Sequence, residues 1–487
     1  MIEESDLEYP PSFLVSARRA LGVTIESPSY KWWVLVASCS GLFATGLTIT
    51  ALTAALPFIA KDLHASRAAV SWVVLAPFMF RSVFVPAFAK VGDLAGRKLV
   101  WSVGFAFATF FSLLCGFAPS IGWLIAFRAL AAVASAALLP TSMALIATAF
   151  VPEERVKALG WWSATVAISP LIGVSVGGLL VEALSWRWLF FAQFPFGVVS
   201  LALGMIVLHE SRGEAGESFD IAGAALSILG LSILMLVLNQ GEVWGWTSPT
   251  ILGAAATMVV AVTAFFFVEV RAESPVLPLH YFARARFLAA TLTNFFANFA
   301  YLGGYFITSL MLADVFLYGP AKVSLGIAPR SGSLGLLAPA GGYLAARFGG
   351  RRMTITGMGL IVASMLFLAR LSETSSYMEI FPGLVLSGFG LGLVGPPTAA
   401  AITNEADPGE LAAASGALNL CAAVGSSMGI AVMQTLVTVG AKTPEHPGSH
   451  AYSVAFLVGG AMCVAGLVAA FFLGDTSTEG ESAGLNT

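Results

Sequence analysis

Three arginines, Arg81, Arg128 and Arg330, lie inside long apolar runs of a chain in which only 10% of 487 residues are charged. A guanidinium stays protonated and carries five N–H donors, so within hydrocarbon it needs a wet cavity or a partner. Arg81 is ten residues from Ser71 and nine from Lys90, about 14 Å from either end of its run at 1.5 Å per residue. That is too deep to snorkel. Arg128 sits about 10 Å below one end of its run. Arg330 follows Pro329 at a depth where a carbonyl would serve it as well as a cavity. The acids are shallower: Glu182 and Glu269 lie near run ends, Glu269 reading as a solvated interfacial side chain. Asp314 stands at a rim and is a candidate proton carrier if buried.

A polar set, Thr45, Thr48, Asn294, Asn298, Tyr301 and Tyr305, suits a cavity lining. Its last four members fall at i, i+4, i+7 and i+11, one helical face, which serves a helix–helix contact equally well. This is chemistry for binding and carrying charge. All five histidines (His64, His209, His280, His446, His450) fall in loops or at run ends, with no HExxH and no GxxxxGK[ST], so haem, catalytic zinc and direct ATP use are not indicated. Cys39, Cys115, Cys421 and Cys463 lack CxxC spacing, so no metal or disulfide framework is expected. No enzyme activity and no cofactor are expected.

The elements that hold these residues follow from composition. A soluble domain carries about 25% charged residues; here 57% of residues are apolar and the mean hydropathy is +0.86. The net charge of −3 leaves no basic surplus for nucleic acid. A bilayer core needs roughly 20 apolar residues per helix, and fourteen such stretches can be read, with polar tails at 1–31 and 475–487. The first is too long for a signal peptide and follows an acidic segment. Alternating sides puts fifteen Lys and Arg on one set of loops and six on the other, so both termini are expected in the cytoplasm. The expected location is a plasma or inner membrane.

Two loops repeat. One reads Ala89-Lys-Val-Gly-Asp93-Leu-Ala-Gly96-Arg97-Lys98, the other Gly342-Tyr-Leu-Ala-Ala346-Arg347-Phe-Gly349-Gly-Arg351, and Gly96 and Gly349 are 253 residues apart. Such duplication is typical of secondary transporters whose halves rock about a central site. Glycine permits the tight turn, and Asp93 is placed near the N-terminus of the third span, where the helix dipole favours a carboxylate. Gly173 and Gly177, with Gly178 beside them and Pro170 a turn earlier, mark a close helix approach or a bend.

The Asp93, Gly96, Arg97 and Lys98 loop resembles the signature loop of the major facilitator superfamily, with Ala89 in place of its leading Gly. Arg128 matches the family's R-x-x-Q-G element, although Ala131 and Ala132 replace Gln and Gly. Ser169-Pro170-Leu-Ile-Gly173-Val174-Ser-Val-Gly177-Gly178 is similar to the antiporter motif G-P-x-x-G-G. Phe219-Asp220-Ile-Ala-Gly223, Gly388-Phe-Gly390-Leu-Gly392 and the span count are similar to the fourteen-span drug:proton antiporters.

The resemblance implies an all-α integral membrane protein of the major facilitator fold, with two six-helix bundles and two extra central helices. The expected divisions are 1–31 tail, 32–208 first bundle, 209–284 inserted helices and linker, 285–474 second bundle and 475–487 tail. Residues 274–286 suggest an interfacial helix. In the family the Asp93 loop latches the halves, and the Pro170–Gly178 stretch bends where spans five and two meet. The implied function is cation-coupled export of amphipathic small molecules by a monomer, protons being one candidate for the coupling ion. One departure opens an alternative. Thr48 stands where the family carries an Asp in span one, and a hydroxyl neither holds a cation nor titrates near neutrality. With Arg81, Arg128 and Arg330 at one cavity, a lipid or natural-product exporter or facilitator for neutral or anionic compounds is the second expectation.

Overall fold

In hydrocarbon every backbone N–H and C=O must be paired within the chain, which leaves helices as the economical solution for long apolar runs. The computed structural model describes residues 27, 29–65, 67–212, 220–272, 275–277, 279–318, 320–440 and 448–474. Among them stand fifteen α-helices. The first seven are α1 Tyr30–Asp62, α2 Arg67–Ala95, α3 Arg97–Gly116, α4 Ile121–Ser135, α5 Leu138–Ala149, α6 Pro152–Ala183 and α7 Trp188–Val207. Two follow, α8 Ile221–Trp244 and α9 Pro249–Glu269. The last six are α10 Ala285–Asp314, α11 Pro320–Phe348, α12 Gly350–Leu368, α13 Tyr377–Glu405, α14 Leu411–Gly440 and α15 Ser449–Ala470. Eleven helical stretches among the described residues are long and apolar enough to cross a membrane, α4 and α5 together forming one of them.

The expected turns form where the glycines allow. Gly96 between α2 and α3 has φ +118°, and Gly349 between α11 and α12 has φ +94°, a region that side-chain-bearing residues rarely enter. The repeat extends further than the loops: Pro86 and Pro339 stand inside α2 and α11, each ten residues before its glycine. One expectation is corrected. Among the described residues of 274–286, Leu279–Ala283 form a 3-10 turn in place of the expected interfacial helix, and the turn packs inward at Tyr281, which is fully buried.

Apart from α6, which packs on both groups, the first seven helices pack chiefly on one another, as do the last six, and α9 packs on α8, which lies against α2 and α14. The two groups meet where α6 crosses α11 and where α2 and α5 meet α14. At the end carrying the Gly96 and Gly349 turns, one apolar core joins both groups: Met143, Leu145 and Leu159 pack in the same cluster as Ala400, Ile402 and Ala414. At the other end the buried residues separate. Leu52, Ile59, Leu124 and Phe190 belong to one cluster, and Ile307, Met311, Ile380 and Tyr452 to another. The molecule is thus closed at its basic-loop end and has no shared core, among the described residues, at the far end.

The α6–α11 crossing depends on absent side chains. A Cβ on Gly160 would lie 2.8 Å from the Ala338 carbonyl oxygen, and one on Gly342 would lie 2.6 Å from that of Val156. Small residues allow this approach of backbones. Gly342→Val is therefore expected to cost about 1–3 kcal/mol through overpacking and to lower the thermal midpoint of the purified protein. Gly359→Val, at a position with nothing within 4 Å, should leave the midpoint unchanged.

Candidate functional site

The last turn of α2 carries Asp93, only 2% exposed. Its carboxylate accepts hydrogen bonds from the backbone N–H groups of Ala412 (3.1 Å) and Ala413 (2.7 Å). These belong to the first turn of α14, where amides are unpaired and the helix dipole is positive. Arg97, 1% exposed, closes the arrangement. Its Nη2 lies 2.6 Å from Asp93 Oδ1 and donates to the Pro408 carbonyl at 2.6 Å, while Nε donates to Asp93 at 2.8 Å. An ion pair on the first helix group thus grips the N-terminus of a helix in the second. The expectation that Asp93 serves its own third span is corrected: Glu210 occupies that place, accepting from the N–H groups of Lys98 (3.0 Å) and Leu99 (3.1 Å). The Lys98 ammonium donates to the Met205 carbonyl. Gly96 leaves the room Glu210 needs, since a Cβ there would collide with its carboxylate.

Sequence reasoning missed two further ties at this end. Arg155, at the start of α6, donates to the Ala147 carbonyl from Nε and to Thr403 O (3.0 Å) and Asn404 Oδ1 (2.9 Å) from Nη1. The only sequence signal was its place in a short loop after Phe150. Tyr281 donates to Asp407 Oδ2 at 2.8 Å and accepts from the Asp407 N–H at 2.9 Å. Burial pushes its phenol well above the ordinary value, so it remains a donor. Glu269 also departs from expectation. It is 2% exposed, and Oε1 accepts from the Leu277 N–H at 2.5 Å, because the chain after α9 folds back over it.

Arg81 and Arg128 line one pocket inside the first helix group, together with Thr45, Ser112, Ser135 and Gln193. Arg128 Nε donates to the Val73 carbonyl at 3.3 Å, and the Arg81 guanidinium lies 5.8 Å from the Phe78 ring centroid. Ser112 donates to Gln193 Oε1 at 2.8 Å. No carboxylate lines this pocket among the described residues. It is donor-rich and positively charged, able to take an anionic or hydrogen-bond-accepting group.

The remaining predicted lining residues are elsewhere. Arg330 is fully buried in the second group, its Nη2 3.4 Å from the Ala300 carbonyl and its guanidinium 4.8 Å from the Tyr301 ring centroid. Of the two expectations for Arg330, the carbonyl partner is the one seen, and its place beside Arg81 and Arg128 in one cavity is corrected to a separate buried site. Asn294 donates to the Leu418 carbonyl of α14, and Asn298 donates to Asn294, so this face of α10 serves a helix contact. Asp314 is corrected from a buried carrier to an exposed residue at the end of α10, accepting from the Tyr452 hydroxyl at 2.6 Å. Gly173 packs on the Leu47 carbonyl of α1. The surroundings of Thr48, Pro170, Gly177 and Gly178 lie outside the described residues.

The family model described as Major Facilitator Superfamily matches residues 38–430 and 295–486. The Tetracenomycin C resistance and export protein of Streptomyces glaucescens is 32% identical over 408 residues, covering 83% of this chain and 76% of that protein. The Multidrug resistance protein Stp of Mycobacterium tuberculosis is 32% identical over 407 residues, covering 83% and 75%. The Puromycin resistance protein pur8 of Streptomyces alboniger is 29% identical and covers 92% of each chain. The crystal structure of the human organic anion transporter MFSD10 (TETRAN) superposes with a TM-score of 0.66 at 14% identity, covering 91% of this chain and all of that one, a likeness of fold alone.

Breaking the buried pair is costly because one charge is left without its partner. Asp93→Asn is expected to destabilise the purified protein by about 3–5 kcal/mol. Asp93→Asn with Arg97→Met should cost clearly less than the two single losses added. Additive losses in a thermal double-mutant cycle would show that the two side chains do not act together.

Proposed function

The chain belongs to the major facilitator superfamily, and from that premise we propose that it is a secondary active exporter of amphipathic small molecules, coupled to a cation and working by alternating access. The observation that carries this reading is the grip of Asp93 and Arg97 on the start of α14. It ties the two helix groups at one end only, while the opposite end has separate cores. Opening the basic-loop end requires the Asp93 carboxylate to leave two amides, so the pair acts as the gate. Relatives named for resistance and export support small-molecule efflux.

In this reading the membrane is crossed fourteen times, α1, α6 and α11 joining the eleven apolar stretches at 33, 32 and 29 residues. The bundles are 32–208 and 285–474, with 209–284 inserted between them. The basic loops and both termini face the cytoplasm of a plasma or inner membrane, the sealed gate is cytoplasmic, and one chain forms a complete pathway.

A second reading is favoured by the pocket. Arg81 and Arg128 share it without a carboxylate among the described lining residues, and Thr48 replaces the span-one acid. Both features suit a natural-product or lipid exporter or facilitator for neutral or anionic compounds, without tight proton coupling.

Proteoliposomes separate the two readings. On the first, an imposed pH gradient drives accumulation of a fluorescent amphiphile and a protonophore abolishes it; uptake that ignores the gradient sinks proton coupling. Arg128→Ala is expected to reduce uptake at least tenfold, while Asp314→Asn, at an exposed rim, leaves it near the parent rate. On the second reading, an anionic amphiphile competes strongly and loses that competition in Arg81→Ala. Strong competition by ethidium, unaffected by Arg81→Ala, would rule the second reading out.

A further inference from the structure

Beside the gate, His280, Asp407 and Glu410 bring an imidazole nitrogen and two carboxylate oxygens within 4.8 Å of one another. We propose that these three side chains form a binding site for a divalent transition metal, zinc being the best fit, and that the bound ion fastens the linker to the gate. The site is independent of what the protein transports.

His280 lies on the 3-10 turn Leu279–Ala283, and Asp407 and Glu410 lie at the turn Pro408–Glu410 between α13 and α14. Residues 127 or more apart in sequence thus meet, which is why local spacing shows no ligand motif. Their meeting is set by Tyr281. This side chain is fully buried, and its hydroxyl holds the Asp407 carboxylate and backbone N–H together. A carboxylate oriented by a buried hydrogen-bond partner is the kind of support that metal ligands receive.

The distances are close to those a metal needs. His280 Nε2 lies 3.5 Å from Glu410 Oε2, near the separation of two ligands on one tetrahedral ion. Three atoms within 4.8 Å of one another lie no more than about 2.8 Å from a common point, against about 2.0–2.2 Å for zinc with N and O ligands. Closing that gap takes less than about 1 Å of movement by side chains that are partly exposed. An imidazole with two carboxylates suits zinc or a neighbouring transition metal better than calcium or magnesium, which prefer oxygen. His280 and Asp407 are exposed, which provides an entry path and leaves positions for water.

The consequence follows from what the turn carries. Pro408, between the two acids, gives its carbonyl to Arg97, and the amides two and three residues beyond Glu410 cap onto Asp93. An ion that joins His280 to Asp407 and Glu410 fixes this turn and so holds the gate shut. Such a metal would act as a brake on transport.

Calorimetric titration of the purified, chelator-washed full-length protein with zinc chloride tests the site. One zinc per chain is expected, with His280→Ala and Glu410→Gln each weakening binding at least tenfold. His280 is half exposed and its replacement leaves the fold intact, checked by an unchanged thermal midpoint without metal. Hydrogen exchange tests the brake: zinc should slow exchange severalfold at the Ala412 and Ala413 amides in the parent and not in His280→Ala. Equal zinc affinity in the parent and His280→Ala overturns the site. Zinc binding with unchanged exchange in the parent overturns its connection to the gate.

Discussion

A helix that begins inside a protein presents amide groups with nothing to bond to, and the start of α14 meets this requirement with a carboxylate borrowed from another helix group. Asp93 accepts from Ala412 and Ala413, and Arg97 pairs with the carboxylate while also holding Pro408. Both charges are almost fully removed from solvent. Buried pairs of this kind add little net stability but are expensive to break singly. That combination makes the arrangement specific, since displacing it requires amides, carboxylate and guanidinium to find other partners together.

The rest of the architecture is arranged around this point. Close approaches at Gly160 and Gly342 bring α6 onto α11, and Gly92 and Gly416 lie against Thr141 and Ala89 where α2 and α5 meet α14. All lie toward the basic-loop end, where the apolar core is common to both groups. Toward the other end each group has its own core, the first reinforced by Asp62, which takes hydrogen bonds from Trp186 and Arg187. The two groups thus share a core at one end and are separately packed at the other.

The pocket and the Asp93–Arg97 pair are different kinds of site. The pocket of Arg81 and Arg128 holds positive charge with room beside it, while the pair sets opposite charges against each other. Arg330 resembles neither. Glycine at 304 makes space for its guanidinium, whose nearest arginine nitrogen would be 3.0 Å from an added Cβ, and the Tyr301 ring supports it from one side. Such a cation–π contact is worth roughly 2 kcal/mol when desolvated, a modest offset for burying a charge.

Much of the fold was legible in the sequence. Apolar runs long enough to span hydrocarbon must form helices there, and a glycine between two such runs marks a turn. The repeat of Gly96 at Gly349 therefore foretold two equivalent corners, and the depth of Arg81 and Arg128 foretold a pocket. Periodicity describes a helix's own faces and says nothing of which distant backbone will need a charge. So only the tertiary structure assigned Asp93 to amides more than 300 residues away, gave the adjacent helix start to Glu210, separated Arg330 from the other two arginines, and buried Glu269 and Tyr281. The physical reason is that a buried polar group must be satisfied wherever it comes to rest, and its partners are as often backbone groups, which every residue carries alike, as side chains that a sequence can display.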